Sequence, residues 1–162
     1  MRVRDSGTDL VVDDHPTLDR WVGVFNFAAA SACVSIAFDY YRPGGEWRDV
    51  FLLLIIPFAA LIAGLGLWRA VARPDTYLHV DGAQGVVTLV RRTVLRRAAG
   101  RWTAAQVTGF ARAQRPGRYG EPVFRLRLDL ADGTSLPAAT LWQAEHAAID
   151  TIINRAHALL GK

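Results

Sequence analysis

Arg91, Arg92, Arg96, Arg97 and Arg101 place five cations within 11 residues, and Arg112, Arg115 and Arg118 form a second group beside Pro116 and Gly117, which mark a loop. Guanidinium groups at this density suit contact with phosphates and carboxylates, the headgroups of an anionic lipid leaflet among them. Each charge held near such a leaflet contributes about 1 kcal/mol. The competing reading is an ordinary solvated surface: 18 of the 19 basic residues are Arg, a bias that GC-rich bacterial codon usage produces with no function attached. Nucleic acid is disfavoured as a partner, because aromatic residues are not interleaved with these arginines and stacking platforms are therefore missing.

Other reactive residue types are scattered. Glu145 and His146 with Asp150 stand on nearby helical turns, but they lack the third ligand a metal site needs and read as surface groups. Ser135 sits in Gly-Thr-Ser-Leu-Pro, which is not the spacing of a nucleophile elbow, and Cys33 lies in an apolar run where a thiolate is disfavoured. One Cys builds no internal disulfide framework. There is no Cys-x-x-Cys pair, no His-Glu-x-x-His motif and no phosphate-binding P-loop. The expectation is a non-enzymatic protein with no catalytic residues, no metal site and no cofactor.

The elements that carry these residues divide sharply by composition. The 162 residues are 51% hydrophobic and 21% charged, and the apolar excess is concentrated between residues 21 and 68. Trp21 to Phe38 and Val50 to Trp68 carry no formal charge. As helices they measure roughly 27 and 29 Å, against a hydrocarbon core of about 30 Å, so each is expected to span a bilayer. Arg20 and Trp21, Tyr40 to Arg42, Trp47 and Arg48, and Trp68 and Arg69 stand at the ends as an interfacial belt. Arg42-Pro43-Gly44-Gly45 in the linker predicts a tight antiparallel hairpin over residues 21–69. Small residues at Ala28 and Ala32, and at Ala60 and Gly64, are expected to form its packing faces. Asn26 reads as an interhelical hydrogen bond and Pro57 as a kink in the second span. No His lies in either span, which leaves no imidazole to ligate haem there. Arg69, Arg73 and the arginines from 91 onward outnumber the two in the linker, so both termini are expected to be cytoplasmic, with residues 1–20 as a cytoplasmic N-terminal segment.

From Pro74 the pattern changes to alternation. Phe124, Leu126, Leu128 and Leu130 alternate with Arg125, Arg127 and Asp129, the signature of a half-buried antiparallel strand, and Asp132-Gly133 turns the chain into Thr134 to Pro137. Thr76 to Val80 and Val86 to Arg92 flank a second turn, and Val94 to Arg97, Arg101 to Thr103 and Gln106 to Arg112 are further strand candidates. Six or seven strands result. Thr140 and Gln143 have the spacing of a capping box and Gly161 that of a C-cap, which predicts a closing helix with Trp142, Ile149, Ile152, Ile153, Ala156 and Leu160 on its buried face. Gln143, Asp150, Asn154 and His157 share another side.

Two apolar helices followed by such a meander and one amphipathic helix resemble the bacterial membrane-anchored pleckstrin-homology-like (PH-like) proteins. LHVDGAQGVVTLVRR, FRLRLDLADGTSLP and the helix from Trp142 to Leu160 carry the resemblance. It implies an α+β PH-like barrel over residues 74–162, held at the bacterial inner membrane by a multi-pass anchor and used for contact with proteins or lipids. The expected function is docking on a larger inner-membrane protein complex as assembly factor or accessory subunit, with other integral membrane proteins and membrane lipids as partners. The alternative is binding of anionic lipid headgroups through Arg69, Arg73, Arg91, Arg92, Arg96, Arg97 and Arg101.

Overall fold

The computed structural model describes residues 1–40, 47–140 and 142–162, and of 38–40 and 47–53 the helical backbone only. The linker bearing Arg42-Pro43-Gly44-Gly45 and the expected belt residues Tyr40, Tyr41, Trp47 and Arg48 lie outside the described residues or side chains. Two units divide the chain: Thr17–Arg73 is helical, and Met1–Pro16 together with Pro74–Lys162 forms an α+β domain.

The α+β domain does not begin at Pro74. β1 (Arg2–Asp5) and β2 (Asp9–Asp14) pair antiparallel with each other, and β2 pairs with β3 (Asp75–Asp81). The first 16 residues are therefore two strands of the domain rather than a lead-in to the membrane. β4 (Val86–Arg92) and β5 (Arg97–Thr103) complete a five-stranded sheet in sequential order. A short 3-10 turn at Ala104–Gln106 leads to β6 (Val107–Pro116), β7 (Pro122–Leu130) and β8 (Ser135–Pro137), a separate three-stranded sheet. Eight strands thus replace the expected six or seven. They form two sheets and not a closed barrel, because no ladder joins β5 to β6 across the turn.

Alternation decides what these sheets bury. Leu10 and Val12, Leu78 and Val80, and Val87 and Leu89 line the inner face of the larger sheet, while Phe124, Leu126, Leu128 and Leu130 line that of the smaller. Each such side chain stabilises the fold by about 1.5–3 kcal/mol when fully buried. α3 (Ala147–Leu160) adds Ile149, Ile152 and Ala156 to this core and ends on Gly161, which adopts a left-handed φ of 68°. That is the conformation in which glycine meets no Cβ penalty.

The helix starts five residues later than the capping-box reading places it. Thr140 is already committed: its N–H donates to Asp14 Oδ2 at 2.7 Å, and its hydroxyl meets the Pro74 carbonyl at 2.8 Å and the Thr76 hydroxyl at 2.6 Å. Gln143 forms a β-bridge with Phe124, which takes residues 142–143 out of any helix. The side of α3 bearing His157 is not left to solvent either. His157 Nε2 accepts the Phe110 N–H at 2.9 Å, and Asp150 accepts from Arg112 at 3.0 Å.

In the helical unit, α1 (Thr17–Tyr40) and α2 (Trp47–Ala72) pack together, and α2 runs through Pro57 without a break in the helix. Both are long and apolar enough to cross a membrane. Only 17% and 11% of the residues in the two apolar windows are buried, where a core helix would be mostly buried. Their contact seam differs from the expected one. Gly23, Ala30 and Ala37 on α1 and Ala59 and Gly66 on α2 are buried, whereas Ala28, Ala32, Ala60 and Gly64 face outward. The seam follows a seven-residue spacing, set where the backbones touch. A Cβ on Gly23 would lie 2.6 Å from the Gly66 carbonyl, and one on Gly66 equally close to the Gly23 carbonyl, while a Cβ on Gly64 would meet open space. Asn26 packs on this seam, its Cβ 3.2 Å from the position a Gly66 Cβ would take.

Candidate functional site

Strand register gathers several basic and apolar groups at one end of the α+β domain. Asp14 pairs with Thr76, and Asp75 with Arg92. The two points where the chain leaves for the helices, after Pro16 and before Pro74, therefore lie at the same end of the larger sheet as the β4–β5 turn. That turn reads Arg91-Arg92-Thr93-Val94-Leu95-Arg96-Arg97. Its tip is apolar and outward, with Val94 67% and Leu95 84% exposed, and the Thr93 hydroxyl accepts the Arg96 N–H at 2.9 Å to close it. Two apolar residues held in water between two pairs of arginines are a poor solvated surface and a good match to a lipid interface.

The first arginine group is not one face. Parity along β4 places Arg91 with Val87 and Leu89, facing inward, and Arg92 opposite Arg97 on the outer face. Arg101 is on that outer face too, but it pairs with Thr88, four rungs along the hairpin from Arg92 and Arg97, and donates to Gln84 at 3.2 Å. The outer face at the crossing end also bears acid, since Asp13 and Asp75 hold His15 between them at 2.9 and 3.2 Å. In the helical unit Arg69 is exposed, and Arg73 forms an ion pair with Asp19 while its carbonyl accepts from Arg20 at 3.0 Å. Trp21 and Trp68, each about 70% exposed, mark the corresponding ends of α1 and α2.

The inward Arg91 belongs to a second constellation that sequence reasoning did not assemble. On β6 and β7, Arg115 and Arg125 are diagonal neighbours on one face, because Arg125 pairs with Ala113 and Arg115 with Val123. Both guanidinium carbons lie over the Trp142 indole, at 4.3 and 4.5 Å from the ring centroid. The bridge at Gln143 puts Trp142 there. Burial, and then the neighbouring charges of Arg91 and Arg115, pull the Arg125 guanidinium below its usual value. Among the described residues no carboxylate pairs with Arg91, Arg115 or Arg125, and the buried Nε atoms of Arg91 and Arg125 have no hydrogen-bond partner. By contrast Arg112, three residues before Arg115, is neutralised by Asp150 and stacks on Phe124 at 4.8 Å. A signal for part of this was present: the parity of Val87, Leu89 and Arg91 marks Arg91 as inward-facing.

Serine, cysteine and histidine chemistry does not assemble. Ser135 on β8 donates to Asp129 of β7 at 2.6 Å, Cys33 faces outward from α1, and His146 lies 3.4 Å from Asp150. No group of three His, Cys, Asp or Glu able to hold a metal occurs among the described residues. No protein-family model matches the chain, and no curated protein matches it significantly.

Proposed function

We propose that this chain is a non-enzymatic, multi-pass protein of a bacterial inner membrane whose α+β domain lies against the anionic cytoplasmic leaflet and engages its headgroups. The β4–β5 tip carries the reading: Val94 and Leu95 stand exposed between two arginine pairs, at the end of the domain where the chain departs for two helices long enough to span a bilayer. Only His15 and Pro16 separate β2 from α1, and only Arg73 and Pro74 separate α2 from β3. Connections this short reach about 10 Å, so this end of the domain stays within headgroup distance of the membrane. Both chain termini belong to the one domain, which supports an even number of crossings, and the Arg excess after the second span favours the cytoplasmic side.

The test uses the full chain, since a fragment beginning at Pro74 lacks two strands. In a Cys33→Ala background, Leu95→Cys labelled with a polarity-sensitive dye should shift to the blue in nanodiscs containing anionic lipid, and the shift should shrink as salt rises. A dye spectrum identical in neutral and anionic discs would sink the reading.

Docking on a larger membrane complex, as assembly factor or accessory subunit, is the second reading. It is favoured by β5, which stands at the edge of the larger sheet with Ala98 and Ala99 exposed, a backbone edge open to an added strand. Stoichiometric partners after gentle solubilisation support it, and a lone monomer counts against it.

A further inference from the structure

We infer that Arg115 and Arg125 over Trp142, with Arg91 as a neighbouring charge, form a binding site for a phosphate group, the chemistry shared by a phospholipid headgroup and free phosphate. The inference deepens the membrane reading and rests on it only for the source of the ligand. Three like charges converge where no carboxylate offsets them, and such an arrangement destabilises the empty fold unless an anion is its ordinary occupant. A phosphate fits the donors: planar guanidinium forks present paired N–H groups to its oxygens, and charge-assisted bonds of this kind are about twice as strong as neutral ones. Trp142 supplies the rigidity. With both guanidinium carbons within 4.5 Å of its ring centroid, the two long side chains are ordered before a ligand arrives, which lowers the entropic cost of binding. Arg112 shows the alternative the fold uses elsewhere, a guanidinium paired with Asp150, and no such acid is provided here.

The test is site-resolved modification of arginines by an arylglyoxal on the full chain in nanodiscs, read residue by residue by peptide mass spectrometry. Phosphatidylglycerol in a phosphatidylcholine disc should slow modification of Arg115 at least fivefold while Arg101 and Arg118 change little, which identifies the headgroup as the source. The same selective slowing by inorganic phosphate in pure phosphatidylcholine discs identifies free phosphate instead. Arg125→Gln should abolish the protection of Arg115, and Arg101→Gln, which removes an equal charge, should preserve it. Trp142→Phe keeps a stacking surface, so it should retain partial protection even if Trp142→Ala fails to fold. No slowing with either probe, or equal slowing at Arg101, Arg115 and Arg118, would overturn the site; in the second case the Leu95 dye shift would survive, leaving the membrane reading in place.

Discussion

The two units of this chain bury opposite things. In the α+β domain the hidden side chains are Leu, Val, Ile and Phe, and the strand faces turned outward carry Arg, Asp and Thr. In the helical hairpin the hidden positions are Gly23, Ala30, Ala37, Ala59 and Gly66, while Trp21, Phe25, Phe58, Leu61 and Trp68 point away. The first pattern is what water enforces, because apolar area removed from it is the main source of stability. The second makes sense where the surroundings are as apolar as Leu, so that helices gain only by close backbone approach. The pattern of burial thus inverts along one chain, and the change occurs across His15-Pro16 and Arg73-Pro74.

Removing the inverted part gives the largest expected effect. Replacing residues 16–74 by Asn-Gly joins β2 to β3 through a two-residue hairpin turn in their existing register, since Asp14 already faces Thr76. After a high-salt wash, which releases electrostatic contacts with headgroups, the product should be found entirely in the soluble fraction as a folded monomer; a product that stays membrane-bound in high salt or aggregates would break the comparison. Next, Leu126→Ala in the β core should cost about 2–5 kcal/mol in denaturant unfolding, against at most about 0.5 kcal/mol for Leu65→Ala on the outward face of α2. Gly66→Val should cost about 1–3 kcal/mol by forcing the helices apart, and it should abolish disulfide formation between cysteines placed at Ala30 and Ala59 in a Cys33→Ala background. Unchanged crosslinking would mean the seam lies elsewhere.

A smaller loss, about 1–2 kcal/mol, is expected for Asp14→Ala, which leaves the Thr140 N–H without its acceptor in a buried place. The smallest effect concerns Asp5, whose carboxyl the Arg155 guanidinium and the Gly7 N–H hold below the ordinary value of 3.8. A carboxyl lowered in the folded state contributes fully above its unfolded value and loses the contribution as pH falls through the folded one. Asp5→Asn should therefore lower stability slightly at pH 7 and less or not at all at pH 3, which flattens the acid limb of the profile below about pH 4; a loss at pH 3 as large as that at pH 7 would contradict the assignment.

How much of this was legible depended on which partner each residue answers to. β3, β4 and β7 read correctly because their alternation faces a core they help to build locally. Asp9-Leu10-Val11-Val12-Asp13-Asp14 hid its strand, because an Asp occupies an inward position, a Val an outward one, and the pairing strand lies across the whole hairpin. Thr140 and Gln143 matched a capping box by spacing, yet their hydrogen bonds go to Asp14, Pro74 and Phe124, none of them nearby in sequence. The Trp142 constellation was missed for the same reason. In the hairpin, small residues four apart are common on every side, and only the mutual approach of Gly23 and Gly66 selects the side that packs.

The placement of the helices between two neighbouring strands bears on how the protein is made. β1 and β2 leave the ribosome well before β3, and the 60 residues between β2 and β3 must be synthesised before β3 exists to pair with β2. At about 5–20 residues per second that is a wait of roughly 3–12 s, with Leu10, Val12 and an unpaired strand edge uncovered. Proteolysis of nascent chains stalled just before and just after β3 should find β1–β2 cleavable in the first and protected in the second; early protection would refute this order. On the proposed topology, insertion of both spans would bring Pro16 and Pro74 to one side of the bilayer, where the sheet can close. On that reading membrane insertion would act as a checkpoint on folding, and a chain that misses the membrane would be left with its first two strands open to chaperones and proteases.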